Sequence, residues 1–115
     1  PAYCRAFDVG LIPFRINELT KAVNPIKLRE YLAAGLPVVS TPLPEVGLYR
    51  ELVEVADTPE MTVAALERCL ATPPAARRAR SAAMRAEQWQ EKLNRIEQAL
   101  AVRAAPELTI TRATA

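Results

Sequence analysis

The chain has 115 residues, half of them hydrophobic, and 15 Lys and Arg against 13 Asp and Glu give a formal net charge of +2. That length allows one small domain with a modest core, the apolar content argues against disorder over most of it, and so small a charge excess gives no reason to expect a nucleic-acid partner. Histidine is absent, which removes the commonest general base and the commonest metal ligand together. Cys4 and Cys69 form no metal-type spacing and read as buried, reduced thiols of a cytosolic protein. No apolar run approaches the ~18 residues of a transmembrane helix, and no signal-peptide pattern opens the sequence. The expected setting is cytoplasmic, with peripheral membrane attachment left open for a full-length protein.

In chain order, residues up to Phe7 resemble the tail of a helix leading into a strand at Asp8. Val9 to Pro13 is a compact apolar run that suits a strand buried on both faces. Phe14 to Val23 has no clear period and reads as a loop. Asn24 is a favoured N-cap and Pro25 fits the first helical position, so a short helix follows with Leu28, Tyr31 and Leu32 inward. Gly35 can take the left-handed conformation that ends it, and Pro37 prevents its continuation. Val38 to Ser40 is the next strand, residues 41–44 a loop because of Pro42 and Pro44, Glu45 to Tyr49 one helical turn, and Leu52 to Ala56 a short strand. Thr58 caps another helix, with Pro59 first and Glu60 favoured by the dipole; its apolar stripe is Val63, Leu66 and Leu70. Pro73 and Pro74 break it. One long helix is then expected from about Ala75 to about Val102, with Ala75, Ala79, Ala82, Ala86, Trp89, Leu93, Ile96 and Leu100 on a single stripe and Trp89 as a core anchor. From Pro106 onward the polar, Thr-rich tail reads as disordered.

This order matches the second half of an open parallel α/β sheet. Such sheets bind ligands beyond the carboxyl ends of their strands, which here are the loops following the first and second strands. The helix opening between them carries Lys27 and Glu30 one turn apart. Free N–H groups and partial positive charge suit an anion, and a carboxylate can accept hydrogen bonds from a sugar hydroxyl. Lys27 in a first turn opposes the helix dipole unless an anion offsets it. Glu30 could equally be a solvated carboxylate paired with a neighbouring arginine. Ser40 and Thr41 could meet a phosphate or merely shape the strand end. Asp8 reads as structural; Arg15 and Lys21 could meet phosphates or keep their loop soluble. The basic run Arg77, Arg78, Arg80 and Arg85 lacks interleaved aromatics for base stacking and reads as a solvated helix face.

The span from Asp8 to Phe14, through the Asn24 helix, to Val38-Val39-Ser40-Thr41-Pro42 resembles the donor-binding region of retaining nucleotide-sugar glycosyltransferases of the GT-B fold (glycosyl transferases group 1). The resemblance continues more weakly to Trp89 and Leu100. It implies that residues 1–105 are part of a Rossmann-like donor-binding domain, the last part of the second domain of a two-domain enzyme whose N-terminal domain is missing. It assigns Glu30 to the donor ribose and places Asn24, Pro25, Ile26 and Lys27 beside the diphosphate; Thr41, which follows the second strand, belongs to the same ligand edge by topology. The implied partners are a nucleoside diphosphate-sugar donor and an unidentified acceptor; no metal is expected, because the sequence shows no ligand cluster, and no cofactor. The chain departs from the pattern at Ala22, where many members carry a glutamate that contacts the transferred sugar; Glu18 is a candidate replacement. Alone, such a fragment is expected to be inactive. The alternative is a non-catalytic α/β interaction module that self-associates through the long helix, whose stripe has heptad spacing. On either account exposed apolar surface predicts a homo-oligomer.

Overall fold

A computed structural model describes residues 2–104; the tail assigned from Pro106 lies outside the described residues. The chain divides into two compact units, one running to Arg85 and one starting at Ala86.

The first unit is an α/β layer built on three parallel strands in the order β1 (Gly10–Ile12), β2 (Val38–Ser40) and β3 (Val53–Val55). Gly10 pairs with Val38, Val38 with Val53, and Ile12 with Ser40. The 3-10 helix Tyr3–Ala6 precedes β1, and α1 (Glu18–Lys21) and α2 (Ile26–Ala33) join β1 to β2. The 3-10 helix Pro44–Tyr49 joins β2 to β3, and α3 (Pro59–Leu70) and α4 (Pro74–Ala83) follow. The two faces of β2 are both covered. Val38 joins Leu28 and Leu32 of α2, Val46, Val53 and Met84 on one side, while Val39 meets Ala65 and Cys69 of α3 on the other. Each fully buried leucine contributes about 1.5–3 kcal/mol. Leu11 lies level with Val39 on β1, yet it is 47% exposed, because α3 packs chiefly on β2 and β3.

The α2–β2 corner follows from local chemistry. Gly35 has φ +78; its N–H donates to the Leu32 carbonyl and the Leu36 N–H to the Tyr31 carbonyl, each at 2.9 Å, the paired bonds of a Schellman ending. At the other end of the same packing, a Cβ on Gly10 would lie 2.5 Å from Tyr31 Cδ2. Glycine there lets the aromatic ring rest directly on the strand.

Four expectations are corrected. The segment from Phe14 to Val23 is not all loop: Asn17 Oδ1 accepts from the Thr20 N–H and Thr20 Oγ1 from the Asn17 N–H, each at 2.9 Å, a reciprocal cap that starts α1. In α3, Thr58 does cap, but Val63 and Leu70 are exposed and the inward positions are Ala65 and Cys69. Small residues there bring the helix close to Val39 and Ala56.

The expected long helix is interrupted. α4 ends at Ala83, Met84–Glu87 is a 3-10 turn, and α5 (Trp89–Ala104) follows. Burying Met84 in the core wins over the alanine stripe, which offers far less area; Ala75, Ala79 and Ala82 are exposed. With Met84 inward, Trp89 would fall about 140° around a continuous helix, so no single straight helix puts both on one face. Trp89 is accordingly not a core anchor: it is 79% exposed, with Lys92 Nζ 5.9 Å from its ring centroid. Leu93, Ile96 and Leu100 are exposed as well.

The arginine run is the fourth. Arg77 is half-buried and donates to the Asp8 carbonyl at 3.0 Å. Arg80 is half-buried too, its Nη1 enclosed with no hydrogen-bond partner among the described residues. Only Arg78 and Arg85 face water fully, so the run is not one solvated face. No helix among the described residues is long and apolar enough to cross a membrane.

Candidate functional site

The opening of α2 differs from its expected form. Pro25, in extended backbone with ψ 100, occupies the cap position, and no side chain caps the helix. Asn24 does not cap because its Oδ1 accepts instead from Arg29 Nη1; a charged donor forms the stronger bond. Among the described residues, the first-turn amides of α2 are therefore left without a side-chain acceptor.

Lys27 and Glu30 come together on this helix. Lys27 Nζ donates to Glu30 Oε2 at 2.6 Å, and both side chains are exposed. The hydrogen bond to Glu30, and then its charge, hold the Lys27 ammonium above its ordinary pKa. An exposed pair of this kind contributes little to stability, so either partner can turn to a ligand at small cost. The partner of Glu30 is thus a lysine one turn back, not an arginine. The two residues line a cavity of about 720 Å³ with Tyr3, Arg5, Phe7 and Tyr31. Thr41 is not part of that lining. It stands at the carboxyl end of β2, where its N–H and its hydroxyl both donate to the Ile12 carbonyl, at 3.1 and 3.3 Å, while Ser40 Oγ donates to the Thr41 carbonyl at 2.9 Å.

What joins α2 to the loop after β2 is Arg29, which sequence reasoning did not single out. Its Nη2 donates to Glu45 Oε1 at 2.5 Å and its Nε to the Tyr49 hydroxyl at 3.0 Å. Burial works against this charge, yet the hydrogen bonds to Tyr49 and Glu45 more than offset it and hold the guanidinium above its ordinary value. These partners lie 16 and 20 residues away, beyond any helical spacing, so no local pattern pointed to them.

Among the other candidates, Glu18 is exposed and paired with Lys21 at 2.7 Å, and Asp8 contributes its main-chain carbonyl to Arg77. Among the described residues no group of His, Cys, Asp or Glu side chains is arranged to hold a metal ion.

The chain is 40% identical over 75 residues to a Bacillus subtilis (strain 168) protein named "Putative teichuronic acid biosynthesis glycosyltransferase TuaH". The match takes in 61% of this chain and 19% of that protein. The likeness supports a glycosyltransferase family. No family model matches the chain, and no solved structure matches it at significance. The α/β unit with its small parallel sheet and the long C-terminal helix α5 are consistent with a piece of a Rossmann-like domain.

Proposed function

We propose that this chain is part of the donor-binding domain of a retaining GT-B nucleotide-sugar glycosyltransferase, and that α2 is the element that holds the donor. On this reading the amides of Ile26 and its neighbours, with Lys27, meet the diphosphate, Glu30 accepts hydrogen bonds from the ribose, and Thr41 and Asn24 border the same edge. The observation that carries it is the helix opening without a side-chain cap, an exposed lysine in its first turn and an exposed carboxylate one turn on. A helix end in that state favours an anion. The glycosyltransferase likeness supports the same direction. The chemistry would be electrostatic: oriented N–H groups and an ammonium stabilise charge that builds on a departing diphosphate, while the ribose contact fixes its orientation.

The sugar would leave for an acceptor bound by the rest of a larger protein, so the chain by itself binds without transferring. The alternative of a self-associating interaction module draws on the exposed stripe of α5, but the comparison with known proteins does not favour it.

The test is titration of the full chain with uridine diphosphate and guanosine diphosphate, followed by amide NMR. Shifts centred on residues 26–30 are the expected result, and Glu30→Ala should weaken binding by ~1.5–3 kcal/mol, the range for a lost charge-assisted hydrogen bond. Shifts elsewhere, or none, would count against the assignment.

A further inference from the structure

Three segments meet at one guanidinium. Arg29 lies in α2; Asn24 precedes that helix; Glu45 and Tyr49 belong to the 3-10 helix that follows the loop after β2. Each is held by a different part of the same planar group: Nη1 for Asn24, Nη2 for Glu45 and Nε for Tyr49. The guanidinium carbon also stands 5.6 Å from the Tyr49 ring centroid. The Arg29 and Glu45 side chains keep only 25% and 23% of their surface in water, so their pairing is better shielded from solvent than the exposed Lys27–Glu30 pair.

The geometry points to Arg29 as a positioning residue for the donor site. It sets the opening of α2 against the loop after β2, and it draws the Asn24 side-chain oxygen, Oδ1, away from the first-turn amides that a diphosphate would use. This rests on the reading of α2 as the donor helix. Arg29 does not supply the cation for the phosphate, because Asn24, Glu45 and Tyr49 hold its guanidinium in a partly buried site; Lys27, on a long stem and paired only in an exposed contact that is cheap to break, has that role. Lysine cannot replace Arg29, since one ammonium lacks the planar fork that reaches three acceptors in fixed directions.

The experiment uses the full chain, calorimetric titration with uridine diphosphate and guanosine diphosphate, and amide hydrogen exchange on the unliganded protein. The informative variant is Glu45→Gln, which keeps size and removes a negative charge. If Glu45 acted only through its field, the change would tighten binding of an anion. If it were only structural, the melting temperature would fall with affinity unmoved. The positioning role predicts the opposite of the first and more than the second: affinity weakened about tenfold or more, with faster exchange confined to residues 26–28 and 41–46. Arg29→Lys should reproduce this, and Tyr49→Phe, which deletes one acceptor, should give a smaller effect of the same sign. Should Arg29→Lys fail to fold, the two milder variants decide. Unchanged or tighter binding in Glu45→Gln overturns the positioning role and leaves the donor site standing. A wild-type chain that binds neither diphosphate overturns the donor site, and the positioning role falls with it.

Discussion

Gly35→Ala is the most demanding test of the packing that presents α2. Two costs add at this position. The backbone has φ +78, a left-handed conformation that costs an alanine about 1–2 kcal/mol. The added methyl would also stand 2.7 Å from the Arg77 carbonyl oxygen and 3.2 Å from its carbon. Those are backbone atoms of α4, so no flexible side chain can swing aside and the helix itself must give by several tenths of an ångström. Overpacking of this kind costs about 1–3 kcal/mol. Moving α4 also strains the Ser81 hydroxyl bond to the Ala33 carbonyl, 2.8 Å long, and the seat of Met84. We expect a loss of about 2–5 kcal/mol, a large share of the ~5–15 kcal/mol that holds a domain folded. Urea unfolding followed by far-ultraviolet circular dichroism measures it, read as a shift in midpoint at constant slope. Gly47→Ala is the matched control, because a methyl there meets nothing within 4 Å. If the two variants agree within about 0.5 kcal/mol, the ordinary scatter of surface changes, the account of the α2–α4 contact is wrong.

Met84→Ala should destabilise the α/β unit by about 2–5 kcal/mol, whereas Trp89→Ala should stay within about 0.5 kcal/mol; equal losses in urea unfolding would show that the core boundary has been misplaced. Asn24→Ala should cost about 1–2 kcal/mol in the same assay through the lost bond to the Arg29 guanidinium and not through the helix end; no measurable loss would show that this bond does not hold Asn24. Burial, with Glu54 adding to it, pushes the Cys69 thiol up. The folded protein then keeps a proton that the unfolded chain releases near about pH 8.5. Its contribution is complete below that pH and is lost as pH rises through the folded value. Cys69→Ala should therefore flatten the alkaline fall in stability, and in a native thiol assay the half-buried Cys4 should react well before Cys69. Equal rates for the two thiols would contradict the burial of Cys69.

The parts of the fold that were legible in the sequence are those whose causes sit within a few residues. Gly35 and Pro37 end α2 by their own backbone chemistry, Val38 and Val39 can only be comfortable in a doubly covered strand, and Thr58 caps α3 through a bond to an amide three residues on. The expectations that failed depend on distant partners. Asn24 has the composition of a cap, but an arginine five residues later, itself anchored by Glu45 and Tyr49, takes its side chain. The phase of α4 is decided by whether Met84 or Ala75, Ala79 and Ala82 face the core, a contest of areas that spacing alone leaves open. Asn17 and Thr20 form a reciprocal cap with threonine where glutamate or glutamine is usual, so the signal was present but in an uncommon form. For the candidate site, Lys27 and Glu30 were visible because they share one helical turn. Arg29 was not, because nothing local connects it with residues 16 and 20 positions ahead.

Trp89 is the chain's single tryptophan, and its indole is largely in water. An indole that is already hydrated in the native state changes its surroundings little when the chain unfolds. Intrinsic fluorescence, the most convenient optical probe of a protein this size, will therefore be nearly silent about melting of the sheet. The same indole will respond strongly to anything that comes to rest on α5 and dehydrates it. The chain thus carries a built-in optical reporter of contact, suited to screening for anything that binds to that helix.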